Sequence, residues 1–580
     1  MVSIRRLLTY VARYKAMLAW GILCLIAANL SKAVVPWILE QTVDGLAHGI
    51  AYPLLLRLSV MIIAAALLQA GFVFAEERLL TGAEMAIERD MKNDFYAHLQ
   101  KLPLGFFREN RTGELMARAS NDMSIAVSTS LGICLNSLNT VVALIVILPL
   151  MVRLSWRLTA LAFAPLLLAT IATMVFQERM RSWFEKIQES FAEICARAQE
   201  VLEGVRTVRT YTQERAEIEA FGQIHRQYLS HNLRRNRLAN MIYPAMQLFV
   251  GLSFVAVLWY GGNLTASRNL SLGQFLEFMV YLGYVAWPMH ELGSELASFQ
   301  QVAVSIDRVD SILSLQPAIR DPVTPLAIQA IQGSIEFRNV TYTPKGTNRP
   351  TLAAVSFHVN PGQTVGLVGE VGSGKSTLMD LIPRFLEPCS GAVLIDGYPV
   401  REIPLQLLRS AIGYVPQETF LFSDTIAANI AFGNPEAAQA EIEQAAITAG
   451  MGPDIAAFPN GYQTMIGERG ATLSGGQKQR ISIARAILPR SPILLLDDAL
   501  SSVDSYTEEK ILARLRHLRQ GKTCLISSQR ISTLRDADLI LVLHDGRIIA
   551  RGTHHELLAR RGMYAEMYET QLLEENLAAS

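Results

Sequence analysis

Nine consecutive residues contain the phosphate-binding pattern G-x-x-x-x-G-K-[ST] with every fixed position matched. They are Gly369, Glu370, Val371, Gly372, Ser373, Gly374, Lys375, Ser376 and Thr377. An apolar run before them predicts a buried strand, and the run after them predicts a helix, whose positive dipole end would face an anion. Lys375 would reach the β- and γ-phosphates and the Ser376 hydroxyl would bind Mg²⁺. The chain is therefore predicted to bind a nucleoside triphosphate.

Two later stretches add to this prediction. An apolar run, 492–496, ends in Asp497 and Asp498, and Asp497 is placed to hold Mg²⁺ directly or through water. A second glycine-containing segment consists of Leu473, Ser474, Gly475, Gly476 and Gln477. Its serine and paired glycines offer another phosphate-binding backbone at a helix start. Since two such elements on one chain cannot hold the same γ-phosphate, we expect the second to face a nucleotide held by another chain.

The composition indicates membrane spans. The chain has 580 residues, of which 51% are hydrophobic and 18% charged, and its mean hydropathy is +0.25. The formal net charge is +0, so no bulk field favours nucleic acid as a partner. The five cysteines are scattered without the spacing of a metal site or a disulfide framework.

Six apolar segments are long enough to cross a bilayer. They lie at about 17–39, 53–76, 127–151, 157–177, 241–262 and 271–290. The basic N-terminus predicts a cytoplasmic start, and an even number of spans returns the chain to the cytoplasm. The two long charged connections, at about 77–126 and 178–240, are predicted to be helices that continue into the cytoplasm.

The second half changes character. Prolines interrupt the stretch 316–332, which is typical of a linker. Beyond it, strand-like and helical runs alternate, as in an α/β nucleotide domain. We therefore expect three parts: an all-α polytopic membrane domain at 1–315, a linker at 316–332 and an α/β phosphate-loop domain at 333–580.

Lys32 lies well inside the first predicted span, and Glu277 and His290 lie in the last one. Two explanations fit each residue: the side chain extends to the membrane–water interface, or it contacts a substrate in a water-filled cavity. The sequence leaves both explanations open.

Over essentially its whole length the chain resembles a half-transporter of the ATP-binding cassette (ABC) exporter family, of the multidrug-resistance-like type. The segment 473–477 matches the family's signature and is the most specific element. The resemblance implies that Gln417 contacts Mg²⁺ and senses the membrane domain, and that Ser501 and Asp504 belong to the D-loop. It also implies that 467–470 is the X-loop, which meets the helices of the membrane domain, and that 106–118 is the first cytoplasmic loop, whose short helix could dock into a groove on a soluble partner domain.

Three positions depart from the family pattern. The residue after the Mg²⁺-binding aspartate is usually glutamate, whereas here it is Asp498, one methylene shorter. The switch histidine is replaced by Gln529, a neutral amide that cannot carry imidazole's charge. The aromatic residue that stacks on adenine falls on Pro344 by count, and Tyr342 is the nearest aromatic that could substitute.

The two weakened catalytic positions beside an intact signature predict a heterodimer. This chain would bind ATP and hydrolyse it slowly, while a second, non-identical half-transporter carrying the usual glutamate and histidine uses the signature of this chain. The expected function is ATP-driven export of amphipathic drugs, lipids or peptides across the bacterial cytoplasmic membrane, with the N-terminus and the ATP-binding domain inside. Two alternatives remain open: a homodimeric lipid or peptide translocator, and an ATP-gated membrane sensor.

Overall fold

A computed structural model describes the backbone of residues 2–579 except 323, 327, 468–469, 471, 504 and 520. Within helices, the side chains at 2–4, 177–178, 181, 287, 289–301, 505–506, 515–519 and 574–579 are also left undescribed. The chain forms two compact units. The helical unit comprises Met1–Lys101 and Asn110–Leu315, and the sheet unit comprises Leu102–Glu109 and Gln316–Ser580.

Helices of very different lengths make up the helical unit. They are α1 Val2–Arg13, α2 Lys15–Ala47, α3 Tyr52–Leu99, α5 Thr112–Ala117, α6 Ser130–Leu154, α7 Trp156–Glu203, α8 Val205–Thr210, α9 Glu214–Ala266 and α10 Leu272–Leu313, with α4 Leu104–Glu109 assigned to the sheet unit. Two π-helical turns, Arg118–Asp122 and Ile125–Thr129, lead into α6. Helices α3, α7 and α9 extend well beyond their apolar segments, as the charged composition of the two long connections predicts.

Among the described residues, five helices are long and apolar enough to cross a membrane. They contain the first five predicted segments: Lys15–Ala47, Tyr52–Leu99, Thr112–Leu154, Trp156–Phe176 and Glu214–Ala266. The sixth predicted segment lies in α10, whose described apolar part, Leu272–Ala286, is shorter.

Close helix contacts hold this unit together. A Cβ at Gly21 of α2 would clash with the side chain of Leu80 on α3, so glycine allows the two helices to approach. Ser253 of α9 donates a hydrogen bond to the carbonyl of Ala162 on α7 at 2.9 Å. In lipid, where tails are as apolar as the side chains, such small residues and interhelical hydrogen bonds stabilise packing.

The sheet unit contains two sheets. Its strands are β1 Ile335–Tyr342, β2 Leu352–Val359, β3 Thr364–Val368, β4 Ser390–Ile395, β5 Tyr398–Pro399, β6 Ile412–Val415, β7 Ile493–Asp497, β8 Thr523–Ser527, β9 Leu539–His544 and β10 Arg547–Gly552. One sheet has the order β2-β1-β4-β5 and is antiparallel, and the other has the order β10-β9-β3-β8-β7-β6. In the larger sheet β9, β3, β8, β7 and β6 run parallel, while β10 is antiparallel.

Short helices complete this unit. They are α11 Lys375–Leu381, α12 Leu405–Ser410, α13 Ile426–Ala431, α14 Gln439–Thr448, α15 Gly452–Ala457, α16 Gly475–Ile487, α17 Ser505–Arg519, α18 Ile531–Leu534, α19 His554–Ala559 and α20 Met563–Ala579, with a 3₁₀ turn at Gly461–Gln463. Strands β3, β7 and β8 are buried throughout, as expected for a parallel sheet covered on both faces. Ligands bind beyond the carboxyl ends of such strands. The predicted fold class, a helical membrane domain followed by an α/β domain, is confirmed.

Candidate nucleotide-binding site

The phosphate loop connects β3 to α11 and needs glycine at two positions. Gly369 has φ +156° and Gly374 has φ +101°, conformations that side chains rarely adopt. A Cβ at Gly369 would clash with the carbonyl of Leu543. A Cβ at Gly374 would lie 2.8 Å from the carbonyl oxygen of Thr351. The loop backbone can therefore curl tightly only with these residue types.

Lys375 lies within the curl of this loop. Its Nζ donates hydrogen bonds to the carbonyl oxygens of Gly369 at 2.6 Å and Glu370 at 2.8 Å. Burial lowers the pKa of Lys375, while the charges of Asp498 and Asp497 oppose that shift. The ammonium group is thus held beside the anion-binding backbone, where phosphate oxygens could replace the loop carbonyls as its partners.

Asp497 ends β7 and is 2% exposed. Burial raises its pKa, and the neighbouring hydroxyl of Ser376 opposes this shift. The described residues contain no group of three His, Cys, Asp or Glu that could hold a metal ion without help. Mg²⁺ in nucleotide sites is bound by one or two carboxylates together with phosphates and water. The oxygen atoms of Ser376, Asp497 and Gln417 fit that requirement.

Asp498 stands in a left-handed conformation with φ +48°. Its N–H donates to the carbonyl of Ser527 at 2.9 Å, and its carboxylate accepts the backbone N–H of Gln529. Burial and the adjacent charge of Asp497 both raise the pKa of Asp498. Aspartate tolerates positive φ better than most residues, so the turn after β7 suits the residue present.

Gln529 follows β8 and its loop is held by a distant side chain. Gln571 of α20 donates from Nε2 to the carbonyl of Gln529 at 2.6 Å. The N–H of Ile531 donates to Oε1 of Gln571 at 2.9 Å. One amide group therefore binds the backbone on both sides of Arg530. Nothing near Gln571 in the sequence marks this role.

These elements enclose one cavity of about 170 Å³. Its lining contains most of the sequence-predicted site: Val371, Gly372, Gly374, Lys375, Ser376, Thr377, Gln417, Asp497, Asp498 and Gln529. Thr351 and Ser527 also line it, and neither was predicted. The register of the parallel strands explains why these residues lie around one cavity. Ser527 of β8 is paired with both Leu367 of β3 and Asp497 of β7, so the ends of the three strands lie side by side.

The signature segment, 473–477, begins α16 and does not line this cavity. Ser474 is the N-cap and forms a capping box with Gln477, whose side chain also donates to Asp454 at 2.8 Å. A Cβ at Gly476 would lie 2.9 Å from the carbonyl oxygen of Ser502, so the D-loop backbone packs on the segment. Ser501 donates to the carbonyl of Asp498 at 3.0 Å.

Several predicted residues fall outside the described residues. They are Asp504 of the D-loop, Glu468 and Arg469 of the X-loop, and the side chain of His290.

Tyr342 lies away from the cavity. It is the last residue of β1 and pairs with Leu352 of β2, and its half-buried ring packs on the apolar core beneath the antiparallel sheet. Tyr342 is still part of strand β1, so the strand and not the following loop sets the position of its side chain. The structure therefore does not bring Tyr342 to the phosphate loop.

The segment Leu102–Glu109 belongs to the sheet unit, and its helix α4 contacts α11. Arg108 lies with Nη2 3.5 Å from Oδ2 of Asp380. Tyr414 of β6 donates to Oδ1 of Asp380 at 3.0 Å. Burial raises the pKa of Asp380, while Tyr414 and Arg108 oppose the shift. The ion pair thus connects α4 to α11, the helix after the phosphate loop, and the hydrogen bond from Tyr414 connects α11 to β6, the strand before Gln417.

In the helical unit, two candidate substrate contacts lie on α2 and α10. The Nζ of Lys32 stands 4.4 Å from the centroid of the Tyr284 ring, a cation–π contact. Glu277 is 4% exposed, and its Oε2 has no hydrogen-bond partner among the described residues. Lys32 is therefore held by an aromatic face, while Glu277 keeps a free acceptor.

Comparison with known proteins agrees with this arrangement. Residues 18–289 match the model of the ABC transporter transmembrane region, and residues 352–501 match that of the ABC transporter domain. The probable multidrug resistance ABC transporter ATP-binding/permease protein YheI of Bacillus subtilis is 36% identical over 95% of each chain. An ATP-dependent lipid A-core flippase of Syntrophus aciditrophicus is 32% identical over 99% of this chain and 95% of that protein.

A solved structure shows the same architecture. A bacterial Atm1-family ABC exporter with ATP bound superposes with a TM-score of 0.81 and 28% sequence identity, over 97% of this chain and 99% of that chain. The relatives and this structure match across both units. The chain belongs to the ABC transporter family, as a half-transporter that joins one transmembrane region to one ATP-binding domain.

Proposed function

We propose that the protein is one half of an exporter that uses ATP to move amphipathic compounds, such as drugs, lipids or peptides, out across the bacterial cytoplasmic membrane. The observation that carries this proposal is the single cavity in which Lys375, Asp497 and Gln529 meet. Relatives described as multidrug resistance proteins and lipid A-core flippases support the export of amphipathic compounds. The N-terminus and the ATP-binding domain lie on the cytoplasmic side.

The residues divide the work as follows. The loop N–H groups and Lys375 bind the β- and γ-phosphates. Ser376, Asp497 and Gln417 hold Mg²⁺, which neutralises charge on the phosphates when bound. Asp498 orients and deprotonates the attacking water, and Gln529 donates an amide hydrogen bond to a phosphate oxygen.

The site of this chain works slowly in the proposed mechanism. An aspartate carboxylate falls back by about 1.5 Å relative to glutamate, and a misplaced base costs about 100-fold in rate. Gln529 adds no positive charge where imidazole could. ATP bound at this site would therefore remain longer than at a site with glutamate and histidine.

The partner in this proposal is a second, non-identical half-transporter. It carries the glutamate and histidine that this chain lacks, and its nucleotide is completed by the signature segment 473–477 of this chain. The capping box formed by Ser474 and Gln477 supports this role, because it orders the start of α16. This helix start lies outside the nucleotide cavity of this chain.

The test compares ATP turnover of this chain purified alone with turnover after co-expression with a non-identical half-transporter that carries the usual glutamate and histidine. We expect little turnover alone and at least tenfold more in the complex, with Lys375→Ala as the control for binding by this chain. Uptake of a fluorescent amphipathic dye by inside-out vesicles measures export directly. Brisk turnover by the isolated chain would refute the heterodimer, and a complex that hydrolyses ATP without moving any amphipathic compound would refute the exporter.

A further inference from the structure

Basic and aromatic side chains lie together where α7 and α9 extend beyond their apolar segments. On α7, Trp183 follows the span-length stretch Trp156–Phe176 by seven residues. On α9, Arg234 precedes the start of the fifth predicted span, at about 241, by seven residues. At a helical rise of 1.5 Å per residue, both lie roughly 10 Å beyond the hydrocarbon core. Headgroups occupy about 5–8 Å on each side of that core, and long basic side chains can reach back toward it.

One indole ring holds two cations from different helices. Nζ of Lys186 lies 4.6 Å from the centroid of the Trp183 ring, and Cζ of Arg234 lies 5.3 Å from it. Cζ of Arg235 lies 5.9 Å from the centroid of the Phe184 ring. These cation–π contacts bring positive charges of α7 and α9 together. Together with the exposed Arg237, these side chains are the juxtamembrane cluster: Trp183, Phe184, Lys186, Arg234, Arg235 and Arg237.

The positive charge of this cluster is not balanced from α9. That helix has no Asp or Glu after Glu219, whereas four arginines follow in it: Arg226, Arg234, Arg235 and Arg237. On α7, Glu185 and Glu189 lie near Lys186 in the sequence. Between described side chains, however, the ion pairs of α7 and α9 are those of Arg197, farther from the membrane span. The two cations at the Trp183 ring are no farther apart than a Debye length, which is about 10 Å at 0.1 M salt, so an anion from outside these helices would relieve their repulsion.

We propose that the juxtamembrane cluster binds the headgroup of an anionic phospholipid. The proposal rests on the proposed function only in that it places these helix extensions on the cytoplasmic face, and the lipid therefore belongs to the inner leaflet. Arginine and lysine form charge-assisted hydrogen bonds with phosphate oxygens. Four or more basic residues beside a transmembrane helix on its cytoplasmic side are typical of sites for anionic lipids.

Exposed apolar side chains beside the charges favour a lipid over a soluble anion. Phe184 is 46% exposed and Leu233 is 49% exposed, and each lies next to the basic residues of its own helix or the facing one. A soluble phosphate would contact the cations and leave this apolar surface in water. The glycerol backbone and upper acyl chains of a lipid would cover it, which is favourable. Tryptophan beside basic residues is likewise typical of the membrane interface.

The experiment counts the lipids bound to the full chain by native mass spectrometry, without nucleotide. The detergent contains phosphatidylglycerol and phosphatidylcholine in equal amounts. We expect the wild type to retain phosphatidylglycerol in preference to phosphatidylcholine. Arg234→Gln should reduce this preference about fivefold, whereas Arg234→Lys keeps the charge and should keep most of the preference.

Two further variants separate lipid binding from helix packing. Arg237 is exposed and forms no ion pair or ring contact with the other described side chains. Arg237→Gln should therefore reduce the preference about fivefold without lowering the melting temperature in lipid-free detergent. Arg215→Gln removes an exposed arginine at the far end of α9 and should leave the preference unchanged.

Several results would overturn the lipid site. They are equal retention of the two lipids by the wild type, a preference that survives both Arg234→Gln and Arg237→Gln, and a preference that Arg215→Gln also abolishes. Displacement of phosphatidylglycerol by free glycerol phosphate would likewise overturn it in favour of a soluble anion. Because the lipids are counted without nucleotide, each of these results leaves the proposed export intact. Loss of ATP turnover or dye uptake beside a retained lipid preference would overturn the export alone.

Discussion

Replacing Asp498 with glutamate tests directly the proposal that the ATP site of this chain is slow. The substitution adds one methylene and advances the carboxylate by about 1.5 Å, while the backbone anchor from its N–H to Ser527 at 2.9 Å is kept. Positioned general bases contribute about 100- to 10,000-fold, and misplacement costs about 100-fold. We expect Asp498→Glu to raise ATP turnover at this site by about 10- to 100-fold.

The backbone sets a cost for the substitution. Asp498 has φ +48°, and glutamate is less tolerant of positive φ than aspartate. A strain of about 1 kcal/mol is therefore expected in the stability of the domain. A small drop in melting temperature is expected together with the gain in turnover, so the two measurements are made on the same preparation.

The assay must measure ATP hydrolysis at the site of this chain, separately from hydrolysis at the site of the partner. The complex is prepared with the phosphate-loop lysine of the partner replaced by alanine, so that ATP hydrolysis comes from this chain. Asp424→Glu makes the same chemical change at an exposed position and serves as the control. Adding Gln529→His to Asp498→Glu should raise turnover further. If Asp498→Glu binds ATP normally but changes turnover less than twofold, the carboxylate position does not limit hydrolysis and the reasoning fails.

Three further predictions concern the surroundings of this site. Gln571→Ala removes both hydrogen bonds that hold the loop of Gln529, and should lower kcat about fivefold with little change in ATP affinity. Gln571→Glu keeps the acceptor but sets a carboxylate oxygen against the carbonyl of Gln529, and should lower kcat at least as much. Because burial and Asp497 raise the pKa of Asp498, and the base must be ionised, turnover should fall on acidification at a higher pH than an ordinary aspartate would give, which a pH–rate profile measures. Arg108→Glu places like charge against Asp380, so stimulation of ATPase activity by transported compounds should be lost while basal turnover remains; unchanged stimulation would contradict the role of this contact.

Local patterns account for what the sequence predicts well. The phosphate loop is continuous, and its glycines are needed where φ is positive, at Gly369 and Gly374. The acidic end of β7 follows from an apolar strand that terminates in Asp497. Span-length apolar runs likewise predict the helices of the membrane region, because length and hydropathy are properties of a single segment.

Contacts between distant segments could not be predicted in this way. Gln571 lies 42 residues from Gln529, and Asp545 lies 196 residues from Arg349. Neither pair has a local signal, since both depend on which strands and helices the fold places side by side. Tyr342 illustrates another case: by count the adenine-stacking position falls on Pro344, and Tyr342, the nearest aromatic, lies on β1 with its ring packed against the core.

Asp498 also contacts both the D-loop and the helix that begins with the signature segment, which the proposed arrangement assigns to the nucleotide of the partner. Its carbonyl accepts hydrogen bonds from Ser501 at 3.0 Å and from Nε2 of Gln479 at 3.5 Å. Gln479 lies on α16, which begins with the signature, and its Oε1 accepts the N–H of Ser502 at 2.9 Å. A shift of the turn at Asp498 during hydrolysis would therefore reach the signature through a single side chain. Because a longer carboxylate at this position leaves the carbonyl and its two partners in place, Asp498→Glu tests the chemistry without disturbing that connection.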